Sequence, residues 1–320
     1  MIRRTLIPLD GSELAERAIP HLLRFVEPDQ TELLLMAALS STSSSLFEDT
    51  ARLLMSGQTA LSKGHEAGKR VDIVAQQLRQ TGFNVANRLL SGAPAASILH
   101  LAEEAYVDLI AMSTHGRTGL GQVLLGSVAD EVVRNARPPV FLVPAAVVVK
   151  PDSLPRTILL PLDGTPLAET AIPVASQFAQ NTGATIYLIR VVEPGDSGDE
   201  LQDAQILAGS DYAGEQPIIR QAISYLERIR LRLQLAGVSS CSRIAAGDPA
   251  DVIARIVHAE DADLIVMSTH GRSGMERMVH GSVVSRIIGN TICPLLLMRG
   301  RVPVEAYERT GNEVSAVSFC

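Results

Sequence analysis

Short apolar runs alternate with stretches of helical periodicity along this chain, which predicts a parallel sheet covered by helices. Residues 5–9 form an apolar run that stops at Asp10-Gly11 and predict a first strand. Over 13–26, Leu14, Ala18, Leu22 and Phe25 recur at helical spacing, so a helix is predicted there, capped by Ser12 or Asp10. A second strand is predicted over 32–39, then a serine-rich loop over 40–45 and a long helix over 51–80. A third strand falls at 84–90, and Gly92-Ala93-Pro94 turns the chain into a helix ending near Ala105. Residues 109–112 are apolar throughout, as a central parallel strand buried on both faces should be. A loop over 113–125, a helix over 127–135 and a strand over 140–143 complete the unit.

The pattern then starts again. Arg4-Thr5-Leu6-Ile7-Pro8-Leu9-Asp10-Gly11-Ser12 has its echo in Arg156-Thr157-Ile158-Leu159-Leu160-Pro161-Leu162-Asp163-Gly164-Thr165. Asp108-Leu109-Ile110-Ala111-Met112-Ser113-Thr114-His115-Gly116-Arg117 returns as Asp263-Leu264-Ile265-Val266-Met267-Ser268-Thr269-His270-Gly271-Arg272. Asp163 follows Asp10 by 153 residues, and Gly271 follows Gly116 by 155. The repeating unit is therefore a whole domain, far longer than a solenoid repeat. The expected organisation is one domain over 1–144, a proline-bearing linker over 145–155, a second domain over 156–300 and a tail over 301–320. In the second copy a strand is predicted over 185–192, followed by a longer, acidic loop over 193–216.

Composition narrows the class. The 320 residues carry a formal net charge of −7, 3% aromatics and no tryptophan, which argues against nucleic-acid binding by a basic face or by base stacking. No apolar run approaches the roughly 18 residues of a membrane helix. Asp10 interrupts the amino-terminal apolar stretch too early for a signal peptide, so a soluble cytoplasmic protein is expected, with no membrane partner. Cys241, Cys293 and Cys320 show neither metal spacing nor a disulfide framework, and no metal site is expected from them.

In a doubly wound sheet, ligands sit beyond the carboxyl ends of the strands, where strand order switches. Two loops should meet there, one at Asp10 and one at Ser113. The second runs from Ser113-Thr114-His115-Gly116 across nine residues to Gly126-Ser127, and its copy from Ser268-Thr269-His270-Gly271 across nine to Gly281-Ser282. Glycine permits close backbone approach to an anion, and a helix opening at Gly126 presents free N–H groups and the positive end of its dipole. The Ser127 and Ser282 hydroxyls suit a phosphate or its Mg²⁺, and Arg117 and Arg272 supply charge. No G-x-x-x-x-G-K-[ST] is present, and Gly116, Gly119 and Gly121 lack G-x-G-x-x-G spacing. A plain turn at this loop, and a cap role for Asp10, remain the simpler alternatives. His115 and His270 read first as loop histidines rather than general bases.

The paired motifs resemble the universal stress protein family, once per half. The second glycine, the nine-residue gap and the Gly-Ser pair match its G-x₂-G-x₉-G-[ST] signature, while Ser113 and Ser268 stand at the first glycine. The resemblance implies two tandem five-stranded, Rossmann-like doubly wound domains packed about a pseudo-twofold, ATP with Mg²⁺ as ligands, and a role in stress response. It implies adenosine contacts at Asp10 and Asp163, with the adenine near Ala37 and Val191. It places phosphates at Gly116, Gly126, Ser127 and Val128, and again at Gly271, Gly281, Ser282 and Val283. Pro8, Met112, Ser113, His115 and Arg117 complete the first candidate lining, and Pro161, Met267, Ser268, His270 and Arg272 the second. Ala37-Ala38 against Val191-Val192, and Gln122 against Arg277, mark the first site as the poorer one. No carboxylate is shared by both copies beside the loop, since Asp130 answers to Ser285, so binding is favoured over catalysis. A slow ATPase and a stress protein acting by protein contacts alone stay open. Pairing into a homodimer and an unidentified protein partner are also expected.

Overall fold

The computed structural model describes residues 2–39, 59–114, 125–145, 147, 153–192, 217–269, 282–291 and 293–300. Along the chain two compact units divide between Leu154 and Pro155.

The first unit holds strands β1 (Arg4–Leu9), β2 (Glu32–Leu39), β3 (Asn84–Ser91), β4 (Leu109–Ser113) and β5 (Val140–Val143) in the order β3-β2-β1-β4-β5. Its neighbouring strands all run parallel. Every residue of β4 and β5 is buried, whereas the edge strand β3 is largely exposed or half-buried. This is the distribution that helices on both faces impose on central strands. The covering helices are α1 (Glu13–Glu16), α2 (Ala18–Leu22), α3 (Thr59–Gln80), α4 (Pro94–Glu104) and α5 (Ser127–Asn135). Helix α3 buries Ala67, Val71, Val74 and Leu78, a single apolar stripe. Phe25 packs on Phe141 with ring centroids 5.9 Å apart.

The second unit repeats the plan with β6 (Thr157–Pro161), β7 (Thr185–Val192), β8 (Ser240–Ala246), β9 (Leu264–Thr269) and β10 (Leu295–Arg299), in the order β10-β9-β6-β7-β8. Its helices are α6 (Pro166–Glu169), α7 (Ile172–Thr182), α8 (Pro217–Leu235), α9 (Pro249–Ala259) and α10 (Ser282–Asn290). Helix α8 buries Ala222, Leu226, Ile229 and Leu233 with the same spacing as α3.

The structure corrects the helix expected over 13–26. It is two short pieces, α1 and α2, interrupted at Arg17. Pro20 lacks an N–H and its ring collides with the carbonyl four residues back, so the first piece stops at Glu16. Pro173 does the same to α6, which stops at Glu169. The expected helix start at 51–58 and the loops over 40–45 and 193–216 lie outside the described residues. Asp108 and Asp263 hold matching places in the two units. The Asp108 carboxylate accepts from the backbone N–H groups of Arg3 and Arg4 at 2.8 and 3.0 Å, and Asp263 from those of Arg156 and Thr157 at 2.7 and 3.2 Å. Each ties the start of the first strand to the start of the fourth. Among the described residues no helix is long and apolar enough to cross a membrane.

Candidate functional site

Strand order reverses between β1 and β4 in the first unit, and between β6 and β9 in the second. A crevice opens at such a point beyond the strand ends. Asp10 follows β1 directly. Its Oδ1 accepts from the Ser12 N–H at 2.9 Å and from the Ser12 hydroxyl at 2.5 Å. Ser12 Oγ in turn accepts from the Ala15 N–H at 3.2 Å and caps α1. Both sequence expectations for the cap therefore have a part: Ser12 makes the cap, and Asp10 orients it. Gly11 sits at φ +79°, which a side chain would resist. The second unit reproduces this turn. Asp163 Oδ1 accepts from the Thr165 N–H at 2.8 Å and its hydroxyl at 2.6 Å, Thr165 caps α6, and Gly164 is at φ +84°.

At the end of β4, Met112 and Ser113 are buried. Thr114 donates its N–H to the Val143 carbonyl at 3.0 Å and accepts from the Gly126 N–H at 2.8 Å. That second bond pins the base of the intervening loop. His115, Gly116, Arg117 and Gln122 lie outside the described residues. Gly126 is the N-cap of α5, with φ −59° and ψ 151° and no side-chain cap bond. The first turn of α5 is thus left without a capping side chain. Ser127 is exposed and Val128 half-buried. Asp130 in that turn is engaged by Arg134 at 2.6 Å, one helical turn on.

In the second unit Met267 is buried and Ser268 half-buried. Thr170 donates its hydroxyl to the Leu167 carbonyl at 2.6 Å, so the 2.8 Å contact between Thr170 Oγ1 and Ser268 Oγ has Ser268 as donor. The serine that replaces the signature glycine is therefore tied to the end of α6. His270, Gly271, Arg272, Arg277 and Gly281 lie outside the described residues. Helix α10 opens at Ser282, and Val283 is half-buried.

At the second strands the register corrects the expected equivalence. Pro8 lies opposite Met36, and Pro161 opposite Ile189. Arg190, and not Val191, consequently stands where the first unit has the fully buried Ala37. The Arg190 guanidinium lies over Gly164, with its Cζ 3.9 Å from where a Cβ there would be. Close by on α8, the Tyr225 hydroxyl is buried without a hydrogen-bond partner, and the Arg228 Cζ lies 5.4 Å from its ring centroid. Burial, reinforced by Glu169 and Asp163, pushes the Tyr225 phenol above its ordinary range, so it remains a donor. Sequence reading missed Arg190 and Tyr225, because only the paired register brings them beside Asp163. Among the described residues no group of three or more His, Cys, Asp or Glu is placed to hold a metal ion.

Known proteins share this plan. The profile of the Universal stress protein family matches residues 1–144 and again 155–299. A universal stress protein of Methanocaldococcus jannaschii is 30% identical over an alignment of 156 residues that covers 45% of this chain and 95% of that protein. One from Mycobacterium tuberculosis is 26% identical over 220 residues, covering 68% of this chain and 70% of its own length. A solved universal stress protein from Archaeoglobus fulgidus has a TM-score of 0.68 at 20% identity, covering 92% of this chain and 98% of its own. With two profile matches spanning most of its length, the chain belongs to the universal stress protein family, and carries that domain twice.

Proposed function

We propose that this protein is a cytoplasmic adenine-nucleotide-binding regulator, with one nucleotide site beyond the strand ends of each unit. The observation that carries the reading is the duplicated turn at Asp10 and Asp163, set where strand order reverses. Each turn commits one carboxylate oxygen to a serine or threonine and stands at the mouth of the crevice, where a carboxylate suits a ribose hydroxyl. In the first unit, α5 opens beyond β4 at a glycine cap, and its first-turn N–H groups and dipole favour phosphate. The family signature of the glycine loop, read from the sequence, supports the same ligand, ATP.

Magnesium fits as a companion of the phosphates. The exposed Ser127 hydroxyl is the available protein donor in the first unit, and Ser282 is its counterpart. The metal would supply charge neutralisation for the phosphate chain. Regulation follows if occupancy changes how the chain meets a protein partner or a second copy of itself.

The test is the double variant Gly126→Ala with Gly281→Ala, compared with the parent chain for nucleotide released on acid denaturation and for ATP titration. The Gly126 backbone angles are open to alanine, so this half of the change spares the fold while a Cβ obstructs close approach. Loss of bound nucleotide with an unchanged melting curve supports the site. A folded double variant that binds ATP like the parent overturns it.

A further inference from the structure

The mouth of the second site is built differently from the first. Helices α3 and α8 both end two residues before a glycine of positive φ, Gly82 and Gly237, and their buried stripes superpose at that spacing. Tyr225 then stands where α3 has Arg70, just as Arg190 stands where β2 has Ala37. In the first unit Arg70 is committed to Glu16, with contacts of 2.5 and 2.8 Å. In the second, Glu169 is held instead by Arg228 at 3.3 Å and Arg232 at 3.1 Å. Arg190 is not drawn into that network. No hydrogen bond or ion pair to a described residue holds its guanidinium, which is half-buried over Gly164.

Two polar groups therefore converge beside Asp163 without partners: a guanidinium and a buried phenol hydroxyl. A buried hydroxyl left unpaired costs free energy, and a half-buried guanidinium has five donors to offer a ligand. The guanidinium can only donate, and the protonated phenol has an O–H to donate. An anion with several acceptor oxygens satisfies both at once, with the guanidinium supplying the charge. Charge points the same way. Around the first turn the equivalent places hold Asp10, Glu13 and Glu16 against Arg17 and Arg70, whereas around the second they hold Asp163 and Glu169 against Arg190, Arg228 and Arg232.

Resting on the nucleotide reading above, we infer that Arg190 and the Tyr225 hydroxyl recognise a phosphate ester on the ribose of the ligand in the second unit. The second unit thereby selects adenine nucleotides phosphorylated at the 2′ or 3′ position, and the first does not. In doubly wound folds an arginine near the end of the second strand commonly takes this part. Arg190 is the phosphate-pairing residue, by a forked contact, and Tyr225 adds a single hydrogen bond.

The test titrates the full chain with adenosine 5′-phosphate and with adenosine 2′,5′- and 3′,5′-bisphosphates. One bisphosphate is expected to bind one site per chain about tenfold or more tighter than the monophosphate. Arg190→Ala should erase that gain, bringing the ratio of bisphosphate to monophosphate affinity to about one, and Tyr225→Phe should remove a smaller part of it. Tyr225→Phe keeps the ring in place, so it separates the hydroxyl's role from packing. A bisphosphate that binds no tighter than the monophosphate, or a gain that survives Arg190→Ala, overturns this inference and leaves nucleotide binding intact. A parent chain that binds none of the three overturns both readings.

Discussion

Glu16 and Glu169 hold the same place in the two units, one helical turn beyond the first strand, yet they are neutralised by different means. Arg70 reaches Glu16 from the middle of α3, while Arg228 and Arg232 reach Glu169 from farther along α8. What did not change is whatever the backbone requires. The Asp-Gly-Ser/Thr turn, the helix stop four residues before a proline, and the aspartate that ties the first strand to the fourth recur in both units. What changed are side chains around that turn, Ala37 against Arg190 and Arg70 against Tyr225. A duplicated fold can vary these without disturbing strand pairing, and that is where two copies of one domain can come to prefer different ligands.

The largest expected contrast is in binding. Asp163→Ala removes the carboxylate that orients Thr165 just beyond β6. It should weaken adenine-nucleotide binding by about tenfold to a hundredfold, as expected for a charge-assisted contact. Asp10→Ala should cost less if the second site is the stronger. Equal losses in titrations of the two variants would show that the units do not differ in affinity.

Acid stability should separate the units next. His21 on α2 is buried, with neither ring nitrogen hydrogen-bonded, and the second unit has Val174 in its place. Burial, with the Arg24 guanidinium alongside, holds the imidazole down at about 4 instead of 6.5. The unfolded chain takes up this proton near 6.5 and the folded chain only near 4. Stability from this residue is therefore complete above pH 6.5 and falls as the pH drops towards 4, by roughly 3 kcal/mol in all. Urea melts of His21→Leu across that window should show a flatter pH dependence than the parent. An unchanged slope would remove His21 as the cause.

The smallest effect concerns Gly300. A Cβ there would come within 1.8 Å of Leu167 Cδ1, whereas the first unit carries Ala145 at the matching position. Leu167 is half-buried and can rotate, so Gly300→Ala should cost about 1–2 kcal/mol. Ala145→Gly should change stability by less than about 1 kcal/mol. Thermal melts of both variants measure the difference, and a Gly300→Ala chain as stable as the parent would show that Leu167 yields freely.

Strand positions and order class were legible because buried parallel strands leave unbroken apolar runs such as residues 109–112, and repeats make each run visible twice. The turn at Asp10 was legible for the same reason. The break at Arg17 was readable in principle from Pro20, but a continuous apolar stripe through Leu14, Ala18 and Leu22 masks it. Arg190 and Tyr225 were not legible. The copies are offset by 153 residues at the second strand and by 155 at the third, as Pro8 with Pro161 and Gly82 with Gly237 show. Nothing in the sequence marks where the two extra residues enter, so matching Ala37 with Val191 by eye lands one residue from the true register.

The central claim, that each crevice takes an adenine nucleotide, is tested most directly by isothermal titration of the nucleotide-stripped chain with ATP and Mg²⁺. The account predicts saturable binding at two sites per chain, with the tighter one weakened in Asp163→Ala. An absence of binding heat, together with no nucleotide released from the freshly purified protein, would contradict it and leave a stress protein that works through protein contacts alone.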